Sequence, residues 1–349
     1  VLRATTLTPQ VFTGAEIPYG TCQVRLVDVD GALDAEVVAH LRDRKRAPDL
    51  QLRPFEPAGG YVREVATATP DDIVFIGGKA ANYGFLLRST PANVRPAMAF
   101  TFDLWNEYLD QQLDGGTTLR QRIAELLAPF PSFPPTDFAA LYDALGEVRD
   151  LIDDEADFSD AQKQAIVAAL GRFDPLRRIR FRSSTNVEDS DLFTGAGLYD
   201  SESGCLADDT DDDATGPSRC DPERAGERGV FRALRKVFRS FYNDNAFLER
   251  LRHRVDETTV GMAVLVHYTF VDETELANGV AALRVTGPTS AFATIVAQPG
   301  AYSVTNPADD GVPEIVEASW FGSGVYPSLR QGAERLPLGA TVLDWQGEY

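Results

Sequence analysis

Apolar and polar positions along the chain change rhythm several times, and each change predicts an element. Cys22-Gln-Val-Arg-Leu-Val-Asp-Val29 alternates at period two and predicts a strand, while Asp34 to Arg42 carries helical spacing. Pro54, Pro57, Gly59 and Gly60 interrupt the pattern before a short strand over 60–65. Residues 117–172 then carry three helical stripes. The first is Leu119, Ile123, Leu126 and Leu127. The second is Phe138, Leu141, Tyr142, Leu145 and Val148, and the third Ile166, Ala169 and Leu170. All three read as core faces, and Pro129, Pro131, Pro134 and Pro135 part the first two. Further on, Ile179 and Phe181 alternate with Arg180 and Arg182, Val230 to Phe241 repeats at helical spacing, and Gly261 to Val271 reads as a buried strand.

Two places along this pattern carry chemistry. At Ile76-Gly-Gly-Lys-Ala-Ala-Asn-Tyr-Gly84, two glycines open a helix with a lysine beside them. Free N–H groups, the helix dipole and the ammonium of Lys79 together favour an anion, with Gly77 and Gly78 allowing close approach. An ordinary turn with a solvated lysine is the alternative. At Arg180-Phe-Arg-Ser-Ser-Thr-Asn-Val-Glu-Asp189, a strand delivers Arg182, Ser183 and Ser184 ahead of two acids. Small residues follow at Thr194-Gly195-Ala196-Gly197. A guanidinium fork, two hydroxyls and glycine N–H groups suit a phosphate. A strand ending in a plain surface turn is the alternative.

Together these stretches resemble the nucleotide-binding domain of the phosphoenolpyruvate synthase and pyruvate phosphate dikinase family. The resemblance covers about residues 72–320 and is strongest at Gly77–Asn82 and Arg180–Ser201. It implies an α+β, ATP-grasp-like fold, two α/β subdomains around a cleft, over 66–200 and 201–349. Residues 1–65 would be a small α/β appendage or the tail of an upstream domain. It also implies ATP and Mg²⁺ as cofactors, with Lys79 and Arg182 on the phosphates. Gly77, Gly78, Ser183, Ser184, Thr194, Gly195 and Gly197 would surround them. The strand through Val266 and His267 would supply groups to adenine, His267 standing where relatives carry glutamine. Gln298, in Ile295-Val-Ala-Gln-Pro-Gly-Ala301, matches a metal-binding glutamine. The glutamate expected beside it is Ala301, and no Asp or Glu occurs from Leu276 to Ala308. Glu314 and Glu317 would serve only if the chain folds back.

The phosphate acceptor in this family is a histidine carrier domain with a Thr-x-Ser-His context. None of His40, His253 and His267 has that context, so the carrier would lie in further sequence or in a separate protein. The resemblance therefore implies the ATP-binding half of a phosphotransferase, a drug-modifying one being a variant of that reading. The missing acid leaves a non-catalytic nucleotide-binding descendant, or an exported binding module, as alternatives.

The 349 residues suffice for a sizeable core, and the net charge of −20 argues against a nucleic-acid partner. That charge leaves ATP open, since a nucleotide needs only a local basic pocket. Lys79 is one of four lysines in an arginine-rich chain. The basic residues Arg232, Arg235, Lys236 and Arg239 sit on a helix whose family equivalent packs on the sheet. No apolar run approaches the roughly eighteen residues of a membrane helix. Asp208 to Asp213 reads as a solvated acidic loop, with a calcium site as the alternative. Cys205 and Cys220 bracket that loop, and a bond between them would point to export; otherwise a cytoplasmic location is expected. The chain opens on Val1, so a removed targeting segment or a longer parent chain is expected upstream.

Overall fold

A computed structural model describes residues 10–17, 21–28, 35–44, 46–113, 115–188, 193, 195, 197–211, 213, 215–270, 275–302, 304, 311–336 and 341–342. The chain forms two compact units, Val1–Asp49 and Leu50–Tyr349. The first contains β1 (Gln10–Ile17) paired antiparallel with β2 (Thr21–Asp28), then α1 (Ala35–Arg44). Residues 50–65 fall in the second unit, and so does the expected strand there, β3 (Val62–Glu64).

The second unit is built on a five-stranded antiparallel sheet ordered β3-β4-β7-β5-β6, with β4 at Ala97–Phe100, β5 at Ile179–Thr185, β6 at Ser201–Gly204 and β7 at Met262–Tyr268. Strands from both sides of residue 200 therefore share one sheet. The central β7 is buried from Met262 to His267, as a strand covered on both faces should be. One face carries Met98, Phe100, Ile179, Phe181, Val264 and Val266 into the main core. Helices α3 (Phe102–Leu109), α4 (Leu119–Leu127), α5 (Phe138–Asp150), α6 (Asp160–Leu170) and α7 (Val230–Arg239) contribute to that core. Trp105 lies at its centre, 5.0 Å from the ring of Phe238 and 5.4 Å from that of Phe241. In α5, Leu141, Leu145 and Val148 point inward, but Phe138 and Tyr142 are exposed and pair with each other. The expected five-residue stripe is thus narrower than its spacing suggested.

The other face carries small residues, Ala97 and Ala99, with Leu265. Helix α2 (Ile73–Ser89) packs there through Ile76, Ala80 and Ala81. The basic side chains of α7 meet acids: Arg235 pairs with Asp157 at 2.9 Å, and Lys236 and Arg239 each reach Asp153 at 3.1 Å. Together they form an ion-pair seam along α7. A further antiparallel sheet runs β8 (Ala277–Gly287), β9 (Ser290–Pro299), β10 (Glu314–Phe321) and β11 (Gly324–Gln331), each strand pairing with the next. No helix of the described residues is long and apolar enough to cross a membrane.

Candidate functional site

Helix α2 is bent at Gly77, whose φ of 75° leaves the helical region and restarts the helix behind it. The glycine pair therefore opens the second helical segment, inside α2 rather than at its beginning. Gly77 lies so close to β5 that a Cβ there would overlap the Ser184 carbonyl. Gly78 is buried beside it. Ser184 fastens the bend: its Oγ donates to the Ile76 carbonyl at 2.7 Å and accepts the Ala80 N–H at 2.9 Å. A hydroxyl has one proton, and this one is spent within the protein, so Ser184 acts as a clasp with no donor left for a phosphate.

The restarted helix carries Lys79 to the end of β5. Its Nζ lies 3.1 Å from Ser183 Oγ and 3.2 Å from Glu188 Oε1. The Lys79 side chain keeps 25% of its surface, whereas Glu188 keeps 2%. Glu188 is in turn fixed by Thr185, whose N–H donates to Oε2 at 3.0 Å while its hydroxyl accepts the Glu188 N–H at 3.0 Å. This reciprocal arrangement has the logic of a capping box, and Thr185-Asn-Val-Glu188 spells its sequence pattern. The carboxylate was thus readable as a turn residue, but its partnership with Lys79 was not. Asn186 anchors the same turn, donating to the carbonyls of Arg53 and Thr259, both at 2.9 Å, and accepting the Gly261 N–H.

Arg182 is exposed on the α2 side of the sheet, alternating with buried Phe181. It lies close enough to Tyr83 and His267 for its charge to act on both. Arg182, Tyr83 and His267 thus gather on the sheet face that α2 covers, and Lys79 meets Ser183, which strand alternation turns to the other face, toward the end of β5. Gly195 is buried and packs so tightly on Glu188 that a side chain there would collide with it. Gly197 takes a φ of 78°. Beyond them, the Leu198 carbonyl accepts from Asn243, and Tyr199 meets the buried Arg250 at 3.3 Å. Thr194 lies outside the described residues.

Val266 and His267 occupy the middle strand, in register with β4 on one side and β5 on the other. Their backbone groups are consumed by the ladders, so they are not open to a base. The His267 ring remains. It lies parallel to Tyr83 with centroids 5.8 Å apart, and its Nδ1 is 2.8 Å from the Tyr268 carbonyl. A carbonyl only accepts, so Nδ1 carries the proton. Burial, reinforced by Arg182, Arg180 and Arg95, holds the His267 pKa below its ordinary value. The neutral ring therefore presents Nε2 as a buried acceptor without a partner among the described residues.

Gln298 is buried near the end of β9, opposite Asn278 of β8. The chain does fold back to bring Glu314 to this sheet, opposite Ala297. Strand alternation, however, puts Glu314 and Gln298 on opposite faces, and Glu314 accepts the Val342 N–H at 2.8 Å. Glu317 shares the Gln298 face but lies opposite Thr294 and pairs with Arg330. A third acid was overlooked. Asn278 donates to Glu275 Oε1 at 3.0 Å, so a carboxylate stands beside the residue that faces Gln298. One carboxylate and two amide oxygens fit a Mg²⁺ whose other ligands are nucleotide phosphates.

In the acidic loop, Asp208 is buried and accepts the N–H groups of Arg219 and Arg228 at 2.7 and 2.8 Å. Asp209 accepts those of Val230 and Phe231, capping α7, and burial pushes its pKa up to about 6. These two acids are structural, which neither expectation for the loop included. Asp211, Asp213 and Glu227 gather within 4.8 Å, and a hydrogen bond with Asp213, then burial and the neighbouring acids, raises Glu227 to about 7. Cys205 and Cys220 are bonded.

The sequence profile of the pyruvate phosphate dikinase AMP/ATP-binding domain matches residues 73–298. The rifampicin phosphotransferase of Streptomyces sviceus is 25% identical over 206 residues, which is 59% of this chain and 20% of that protein. The matched region holds both the Lys79 and the Arg182 motifs, and the aligned stretch is a fifth of the relative's length.

Proposed function

The chain belongs to the pyruvate phosphate dikinase AMP/ATP-binding domain family, and from that premise we propose that its second unit holds ATP for phosphoryl transfer. The observation that carries this reading is the meeting of Lys79 and Ser183 at 3.1 Å across a separation of 104 residues. Phosphoryl transfer is chiefly positioning and charge neutralisation. Lys79 and Arg182 supply fixed cations, the Ser183 hydroxyl keeps its proton for a phosphate oxygen, and Gly197 opens the backbone nearby. Glu188 holds the lysine in place when no nucleotide is bound. His267 Nε2 offers an acceptor suited to an exocyclic amine. Mg²⁺ would be held by Gln298 and Glu275, where it would neutralise phosphate charge.

The final acceptor is a histidine carrier outside these residues, and a drug-modifying reaction like that named for the Streptomyces relative fits the same nucleotide half. Calorimetric titration with ATP, with and without Mg²⁺, tests the reading. Lys79→Ala and Arg182→Ala should each weaken binding by roughly tenfold or more, as expected for charge-assisted hydrogen bonds. Affinity unchanged in both variants would refute the site. Tight binding indifferent to Mg²⁺, with no hydrolysis, would instead identify a non-catalytic descendant.

A further inference from the structure

On the same sheet face, beyond Arg182, a pocket of about 250 Å³ opens between the strands and the disulfide-closed loop. Arg178 and Arg180 rise from its floor, two residues apart on one side of the chain and so roughly 7 Å from each other. Arg224 and Arg228 reach in from the segment that joins this loop to α7. Four guanidinium groups face two carboxylates, Glu202 and Asp221, in a protein whose net charge is −20.

Asp221 is divided between Arg178 at 3.5 Å and Arg224 at 3.4 Å, both long for ion pairs. Hydroxyls complete the lining: Arg180 donates to Ser203 Oγ at 3.2 Å, which lies 3.1 Å from Thr269 Oγ1. Planar forks and hydroxyl donors around an excess of positive charge recognise a compact oxyanion, and arginine forks suit phosphate best. The volume, below the roughly 300–1,000 Å³ that encloses drug-sized ligands, suits a compact anion. Neither Lys79 nor Arg182 lines it. We propose that this pocket is a second anion site, taking inorganic phosphate or a small phosphate monoester independently of ATP.

Calorimetry on the full chain tests it, with inorganic phosphate and phenyl phosphate as probes. Both should bind saturably and weaken with added salt. Replacing Arg224 and Arg228 together by glutamine should weaken binding by roughly tenfold or more while ATP affinity stays unchanged. Asp221→Asn removes the competing carboxylate and should tighten binding, a gain that misfolding cannot imitate. Lys79→Ala should leave phosphate binding intact. Tighter binding of phenyl phosphate assigns the site to monoesters, and equal or weaker binding assigns it to the free ion. No saturable binding by the wild type, indifference to the arginine and Asp221 substitutions, or loss in Lys79→Ala with displacement by ATP would overturn the proposal.

Discussion

The lysine at the site owes its position to the bend behind it. Gly77 supplies a backbone conformation that side chains avoid, and it also lacks the atom that would strike β5. Gly77→Ala should therefore destabilise the protein by about 3 kcal/mol and lower the melting temperature even without nucleotide. His267 gives a second test at this scale. Its folded pKa is depressed, so the unfolded chain binds more protons below about pH 6.5. Its contribution to stability is present above that value and fades as pH falls toward the folded pKa. Denaturant midpoints should drop between about pH 7.5 and 5.5, and His267→Gln should flatten that drop. As candidates, Lys79 and Arg182 were legible because both sit beside glycine or serine in recognisable order. The commitments of Ser184 and Glu188 were not, since each depends on a partner brought in by the fold.

At the scale of elements, helix ends are satisfied from a distance. Asp209 caps α7 from 21 residues upstream, a relation that no local capping signal in Gly229-Val-Phe could reveal. Asp209→Ala should cost about 1–2 kcal/mol, measurable as a shift in the urea midpoint. Period-two and helical spacing did identify β2, α1, α4 and α6, and an unbroken apolar run identified β7. They misjudged α5, because a spacing tells which residues share a stripe and not how wide the neighbouring surface is. In the second sheet, the hairpin between β9 and β10 was not readable from the acids alone. Register decides there which face a glutamate occupies, and it sets Glu314 aside while Asn278 brings Glu275 near.

Across the whole molecule, the shared sheet spanning residue 200 follows from strand pairing, which local pattern does not encode. Two long-range fixtures hold the second unit. Arg250 is fully buried, bidentate with Glu257 at 2.7 and 3.0 Å, and bonded to the Phe241 carbonyl at 2.8 Å. Arg250→Met would leave the buried Phe241 carbonyl without its donor and loosen Tyr199, so a loss of about 1–3 kcal/mol is expected in equilibrium unfolding. The Cys205–Cys220 bond closes a loop of 15 residues, and its reduction should lower stability by about 3 kcal/mol. Thiol titration of the denatured, unreduced protein should find one free cysteine of the three.

The Ser184 clasp has a consequence for anyone who would transplant this chemistry. The glycine-lysine segment and the serine strand are separate in the chain but interlocked in space, each supplying the atoms that shape the other. A graft of either one into a foreign scaffold would arrive without its template, and only the two moved as a single cassette would reproduce the cationic tip.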